Sequence, residues 1–174
     1  MSIVQRLLSF EGRLRRRDWW LFAILLGLLS WALSSVAMGL MGVSMMSLLP
    51  TANGQADASG AMLKVIAVQC VAFLVFLWPG LAIGFKRLHD RDKSGRMLVL
   101  LYVLSAANQL VSVLGAQSGI AGMMHPGLLR LCLSLVLLVV GVWMLIELGF
   151  LDGTQGPNKF GPSPKGIGTE FEVV

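Results

Sequence analysis

The chain has 174 residues, of which 56% are hydrophobic and 13% are charged, and its mean hydropathy is +0.77. Soluble domains carry about 25% charged residues, so this composition excludes a soluble globular protein. A net charge of +5 would favour nucleic-acid binding in a soluble chain, but here the basic residues flank long apolar segments. We therefore expect a membrane protein with no nucleic-acid partner.

Four apolar segments predict transmembrane helices. Each is near or above the ~20 residues that a helix needs to cross a hydrocarbon core of about 30 Å. Backbone polar groups find no water there, so a helix is the state that satisfies them. The predicted fold is an all-α membrane protein, a four-transmembrane-helix bundle. Residues 1–160 would form one polytopic domain and 161–174 a flexible cytoplasmic tail. The helices are expected at about residues 19–46, 61–85, 97–115 and 127–150.

The basic residues are distributed unequally between the two sides of these helices. Twelve of the fourteen fall on the side of the termini, and only Lys64 and Arg130 fall on the other. Because cytoplasmic loops of membrane proteins carry the excess of Lys and Arg, we expect both termini in the cytoplasm. The basic clusters would then lie close to anionic phospholipids, where each cation gains about 1 kcal/mol.

Residues 86–96, called the charged segment below, carry seven formal charges between the second and third predicted helices. At mid-bilayer each ionised side chain costs about 3 kcal/mol, so the whole segment is expected to face water. Its Asp90-x-Asp92 start resembles a calcium loop, but Leu101 occupies the twelfth position, where that loop needs glutamate. No metal site or cofactor is predicted. We interpret His89 as an interfacial hydrogen-bonding residue, with catalysis on a lipid as the alternative.

Glu147 is the acidic residue within an apolar segment, about one turn from the end of the fourth predicted helix. A carboxylate at that depth needs a cationic partner, and Arg87 or Arg91 is the expected one. The first interpretation is a salt bridge that docks the charged segment onto the helices. The alternative is a proton or substrate relay.

Polar side chains follow one face of the third predicted helix, and Gln69 in the second helix is expected to meet them. Such a stripe favours hydrogen bonding between helices, with a pore or transport lining as the alternative. Its members are Ser105, Asn108, Gln109 and Ser112.

Small and aromatic residues predict how the helix ends pack. The spacing Gly80-x-x-x-Gly84 favours close approach of a neighbouring helix. Trp19 and Trp20 are expected at the membrane interface, with the indole N–H groups toward water. Phe160 stands among prolines and glycines that exclude a continuous helix, so it predicts a docked extended segment.

Three motifs resemble, in order and spacing, those of one family: small bacterial inner-membrane proteins of the YhaH type, known as domain of unknown function 805. The first is Phe10-Glu11-Gly12-Arg13 followed by Arg16-Arg17-Asp18-Trp19-Trp20. The second is Lys86-Arg87-Leu88-His89-Asp90 with Ser94-Gly95. The third is Gly153-Thr154-x-Gly156-Pro157-Asn158-x-Phe160-Gly161-Pro162-x-Pro164.

The resemblance implies a multi-pass protein of the bacterial inner (plasma) membrane, and it implies no activity. Four positions depart from the family's pattern: Lys86 replaces an arginine, Asp92 a glycine and Phe160 a tyrosine. Arg96 stands where the family has tryptophan, so an interface anchor becomes a charge.

Two functions fit these observations. The first hypothesis is a non-enzymatic module whose cytoplasmic face binds a partner protein, a second copy of the chain or anionic phospholipid. The alternative is a small transporter or channel subunit that uses intramembrane polar residues. The first hypothesis assigns binding to Arg13, Arg17, Arg87, His89, Asp90 and Asn158. The alternative uses Glu147, Gln69, Asn108 and Gln109.

Overall fold

The structure, a computed structural model, describes residues 7–44, 58–116 and 127–166. Within these ranges the regular elements are helices, together with one isolated antiparallel bridge between Asn158 and Gly161. The helices are α1 (Arg16–Leu40), α2 (Ala58–Asp90), α3 (Arg96–Ala116) and α4 (Leu128–Leu145), and a π-helical turn (Ile146–Phe150) continues α4.

The four helices are long and apolar enough to cross a membrane, which confirms the predicted all-α transmembrane fold. Their most apolar windows have mean hydropathies of 2.0 to 2.6, yet at most 22% of each window is buried within the protein. Large apolar side chains such as Leu21, Trp31 and Val139 therefore point outward. Lipid is the solvent in which such a surface is stable, since proteins in water rarely expose large continuous apolar surfaces.

The end of α2 differs from the sequence prediction. The helix continues to Asp90 instead of ending at residue 85, so the first half of the charged segment is helical. Its terminal carbonyls find donors elsewhere in the chain: Leu14 N donates to Lys86 O at 3.1 Å, and Thr154 N donates to Asp90 O at 2.8 Å. Asp90 O is one of the carbonyls that a helix end leaves without an intrahelical partner. The carbonyls of Leu88 and His89 accept from N–H groups of the turn that follows, in which Asp92 has a φ of 56°. A local turn thus ends α2, and Leu14 and Thr154 add bonds from distant parts of the chain.

The described residues divide into two units. The charged unit comprises residues 7–27, 76–102 and 139–166, and the apolar unit comprises residues 28–44, 58–75, 103–116 and 127–138. The charged unit has a core to which all four helices contribute. Its buried members are Leu14, Trp19, Ile83, Leu88, Leu98, Met144 and Leu148.

Close packing of α2 on α3 within the charged unit confirms the role predicted for the two glycines. A Cβ atom at Gly84 would lie 2.5 Å from a methyl carbon of Leu98, and one at Gly80 would overlap the Tyr102 hydroxyl. Only a residue without a side chain allows these helix surfaces to approach so closely.

The tryptophans at the start of α1 do not have the environment predicted for them, an interface with the indole N–H groups toward water. Trp19 is buried in the core, and the Trp20 indole N–H donates to Gly149 O at 2.9 Å. The expected contact of the Trp20 N–H group with water is therefore wrong. The Gly149 carbonyl, near the end of the π-helical turn, accepts this hydrogen bond in place of water.

Candidate functional site

Asp90 lies at the centre of a buried ion-pair network in the charged unit. Its Oδ1 atom is 3.0 Å from Nη2 of Arg13, and its Oδ2 atom accepts a hydrogen bond from Nη1 of Arg87. The side chains of Arg13, Arg87 and Asp90 are 2%, 0% and 6% exposed. Two guanidinium groups share one carboxylate, so one positive charge is left to be stabilised by other groups. We call these three residues the Asp90 network.

Arg13 obtains that stabilisation from residues 151–166, which follow the π-helical turn and are called the tail below. Its Nη1 donates to Gly156 O at 2.8 Å and Gly161 O at 3.3 Å, and its Nη2 donates to Thr154 O at 2.7 Å. Its Nε donates to Asp90 Oδ1 at 3.1 Å. A guanidinium carries five N–H donors in a planar fork, and every nitrogen of this one is occupied. Arg13 therefore fastens the tail and presents no donor to a ligand.

Arg87 is fastened in the same way to the end of the fourth helix. Its Nε donates to Leu148 O at 2.8 Å and its Nη2 donates to Leu151 O. Arg16 donates to Phe150 O at 3.0 Å, and Arg91 donates to Glu147 O at 3.2 Å. Cationic donors at a helix C-terminus satisfy orphan carbonyls and complement the helix dipole. The π-helical turn is thus held by side chains from α1, α2 and the charged segment.

Glu147 forms ion pairs with Arg91 and Lys93. The prediction that Glu147 pairs with Arg87 or Arg91 is therefore confirmed for Arg91, while Arg87 pairs with Asp90 instead. Lys93 was not anticipated, although it belongs to the same charged segment. Because Arg91 and Lys93 neutralise Glu147, the salt bridge docks the charged segment onto α4.

The charged segment does not face water throughout, contrary to the prediction. Lys86, Arg87 and Asp90 are 1%, 0% and 4% exposed, whereas Asp92 and Lys93 are exposed. The insertion cost applies to a charge that faces lipid. Here protein carboxylates and carbonyls replace water around the two arginines, and a buried charge is stable when it is paired and hydrogen-bonded in this way.

The tail docks on the charged segment through two side chains, which confirms the extended docked segment predicted from Phe160. Asn158 Nδ2 donates to His89 O at 2.8 Å and to Thr154 Oγ1 at 3.0 Å. The Phe160 ring stacks on the His89 imidazole, with 3.9 Å between ring centroids and 8° between planes. Lys159 adds an ion pair to Asp92 at 3.3 Å.

We expect Phe160→Ala to free the tail. Aromatic stacking contributes about 0.5–1.5 kcal/mol beyond the area it buries, so its loss raises the undocked population by up to about tenfold. Trypsin cleavage after Lys159, followed on the intact protein in detergent, measures that population. Phe160→Tyr keeps the stacked ring and is expected to be cleaved at the parent rate. Equal rates for the alanine variant and the parent protein would contradict a stabilising stack.

The structure brings together five of the six residues predicted to bind at this face. The exception is Arg17, whose side chain is 84% exposed and lies 3.9 Å from the Asp18 carboxylate. The residues of the transport alternative are divided: Glu147 belongs to the charged unit, and Gln69, Asn108 and Gln109 belong to the apolar unit. Transport through these residues stays a prediction.

A cleft of about 630 Å³ opens beside the Asp90 network, and we call it the arginine cleft. One wall consists of residues 12–18, at the start of α1, and the other consists of residues 160–164 of the tail. The sequence groups the basic residues of the first wall, but no pattern in it indicates that the tail forms the second. The lining residues are Gly12, Arg13, Leu14, Arg15, Arg17, Asp18, Lys86, Phe160, Pro162, Ser163 and Pro164.

The apolar helices and the ion pairs that join their charged connections define a polytopic α-helical membrane protein. The family described as "Protein of unknown function (DUF805)" matches residues 7–162. The chain belongs to this family, which confirms the resemblance seen in its three motifs.

Three proteins of Escherichia coli (strain K12) are similar over nearly their whole lengths. "Uncharacterized protein YiiR" is 31% identical over 172 residues, covering 96% of this chain and 93% of YiiR. "Inner membrane protein YhaI" is 28% identical over 165 residues, covering 95% and 93%. "Inner membrane protein YhaH" is 25% identical over 165 residues, covering 95% and 94%. No solved structure matches the chain. The relatives are therefore bacterial, and two of them are named as inner-membrane proteins.

Proposed function

We propose that this protein is a non-enzymatic inner-membrane module whose charged unit faces the cytoplasm and binds anionic phospholipid headgroups. The observation that carries the proposal is a division among the basic side chains. The buried arginines are paired and hydrogen-bonded within the protein, whereas other basic side chains remain exposed without an ion pair in the described residues.

The charge of the unit supports this proposal. Its described residues include eleven Lys and Arg against six Asp and Glu, a net charge of +5 with histidine neutral. Arg13 and Arg87 share the carboxylate of Asp90, and Arg91 and Lys93 share that of Glu147, so each group keeps one positive charge. The remaining three of the five net charges lie on other side chains.

Four side chains carry the surplus at the surface. Arg15, Arg96 and Lys165 are exposed and form no ion pair within the described residues, and Arg17 approaches only its neighbour Asp18. An anionic leaflet attracts each such cation by about 1 kcal/mol, so four together contribute about 4 kcal/mol. The positive-inside distribution of the whole chain supports an orientation in which this unit faces the cytoplasmic leaflet, which carries anionic lipid.

The experiment compares the lipids retained by the parent protein with those retained by a charge-neutralised variant. The protein is extracted from bacterial membranes in polymer-bounded discs, and its lipids are quantified by mass spectrometry. We expect phosphatidylglycerol and cardiolipin to be enriched over bulk membrane. In the triple variant Arg17→Gln, Arg96→Gln, Lys165→Gln that enrichment is expected to fall close to the bulk level, since about 3 of the 4 kcal/mol of attraction is removed.

The apolar unit offers a matched control. Lys64→Gln with Arg130→Gln removes two positive charges outside the charged unit and is expected to leave the enrichment unchanged. Parent protein with a bulk lipid composition would overturn the proposal. An equal loss of lipid enrichment in the control variant would also overturn the proposal, because the enrichment would then depend on net charge and not on the charged unit. A stoichiometric protein that copurifies with parent discs and is lost in the triple variant would favour the partner-protein alternative.

A further inference from the structure

We propose that the arginine cleft is a discrete binding site for the phosphate group of one anionic phospholipid, with Arg15 and Arg17 as the direct donors. The inference rests on the proposed function and sharpens it, because it replaces diffuse attraction by one saturable site.

The first argument is the number of donors left for a ligand. Arg13 lines the cleft, but all its nitrogens bind Asp90 or the tail. One nitrogen of the Arg15 guanidinium donates to Pro164 O, and the Arg17 side chain makes no hydrogen bond within the described residues. Most of the N–H groups of both side chains are therefore available. Arginine recognises phosphate through two parallel N–H···O bonds, which suits a group with this unused donor set.

The second argument is the charge of the lining. Arg15 and Arg17 are exposed at the cleft and face the single carboxylate of Asp18. These three groups leave a surplus of about one positive charge toward a ligand. Lys86 also lines the cleft, where it is 1% exposed.

The third argument is depth in the membrane. α1 begins at Arg16 and has 25 residues, which is about 37 Å at 1.5 Å per residue and exceeds a hydrocarbon core of about 30 Å. Its first turn, which carries Arg17, therefore extends into the headgroup layer. A lipid phosphate is present at this depth at high local concentration, whereas a soluble anion must enter from the cytoplasm.

The fourth argument is the size and mixed character of the cleft. Its 630 Å³ falls within the range of small-molecule sites, roughly 300–1,000 Å³. Phe160, Pro162 and Pro164 give the tail wall an apolar surface beside the arginines. A phosphoglycerol headgroup presents the same combination, an anionic phosphate followed by carbon atoms.

The test measures binding of phosphatidylglycerol to the intact protein in discs made of phosphatidylcholine. Native mass spectrometry follows the first bound phosphatidylglycerol as its fraction is raised. We expect a saturable one-to-one complex in the parent protein. Arg17→Gln and Arg15→Gln are each expected to weaken it about tenfold, which corresponds to about 1.4 kcal/mol. Arg17→Lys keeps the charge but loses the planar fork, so it should weaken binding less than Arg17→Gln.

Arg96→Gln removes one exposed charge of the charged unit outside the cleft and is expected to weaken binding less than Arg17→Gln. Lys64→Gln is the matched control, because it removes one exposed charge outside both the cleft and the charged unit. It is expected to bind the first lipid as the parent does. Equal weakening by Arg96→Gln and Arg17→Gln would overturn the cleft while leaving diffuse headgroup attraction intact. Absence of any preference for phosphatidylglycerol in the parent would overturn the site and the proposed function together. If millimolar inorganic phosphate displaced the bound phosphatidylglycerol, the ligand would be a soluble anion, and the lipid assignment would be overturned. Thermal unfolding of each variant separates lost binding from lost folding.

Discussion

Replacing Asp90 by asparagine is expected to lower the free energy of unfolding by about 3–5 kcal/mol, because it leaves two buried guanidinium groups without a counter-charge. Arg13 and Arg87 are 2% and 0% exposed, so water cannot replace the lost carboxylate. The loss also loosens the tail, since Arg13 would no longer be fixed in the position from which it binds residues 154–161. Denaturation in mixed micelles, followed by the intrinsic fluorescence of the tryptophans, measures the change.

Asp92→Asn provides the matched control for this prediction. Asp92 lies two residues away and also forms an ion pair, with Lys159, but the two side chains are 44% and 58% exposed. Exposed pairs contribute about 0–1 kcal/mol, so this variant is expected to unfold nearly as the parent does. If Asp90→Asn cost no more than Asp92→Asn, burial of the Asp90 network would not stabilise the protein, and the account given for it would be wrong.

Replacing Gly153 by alanine is expected to cost about 1–3 kcal/mol, the usual penalty for an added methyl group in a closely packed site. A Cβ atom at Gly153 would overlap the Asp90 carboxylate and lie 3.0 Å from Asp90 O. The carboxylate cannot retreat without breaking its bonds to the two arginines. The same denaturation experiment measures the loss, and faster proteolysis of the tail is expected to accompany it.

Gly27→Ala tests whether the effect of Gly153→Ala is steric. Gly27 is a helical glycine of α1 with no atom within 4 Å of an added Cβ. Alanine is favoured over glycine in helices by up to about 1 kcal/mol, so this variant should be as stable as the parent or more stable. A Gly153→Ala protein with the stability of the parent would contradict the close approach of the tail to Asp90.

The membrane helices could be predicted from sequence because their cause is local. Each needs only an uninterrupted apolar stretch of sufficient length, and that is visible in the residues themselves. The end of α2 could not be predicted in this way. Carbonyls in its last turn bind Leu14 and Thr154, and neither residue is near α2 in sequence.

The site was predictable to the extent that it depends on charge. An acidic residue in an apolar segment requires a cationic partner, and this requirement predicted Arg87 or Arg91 as the partner of Glu147, of which Arg91 is confirmed. The roles of Arg13 and Arg87 were not accessible, because most of their acceptors are backbone carbonyls. Every residue carries such a carbonyl, so no pattern distinguishes Gly156 or Leu148 as an acceptor. Only the fold shows that these arginines are fully used and that Arg15 and Arg17 are not.

The π-helical turn has a consequence for biogenesis. Its carbonyls accept hydrogen bonds from Arg16, Trp20 and Arg87, which the ribosome produces long before the turn itself. Arg13 and Arg87 can pair with Asp90 once α2 is made, but the tail carbonyls that Arg13 binds belong to residues 154–161. We therefore expect α1 and α2 to enter the membrane before most acceptors of these arginines exist, and assembly of the charged unit to finish only after residues 147–161 are synthesised.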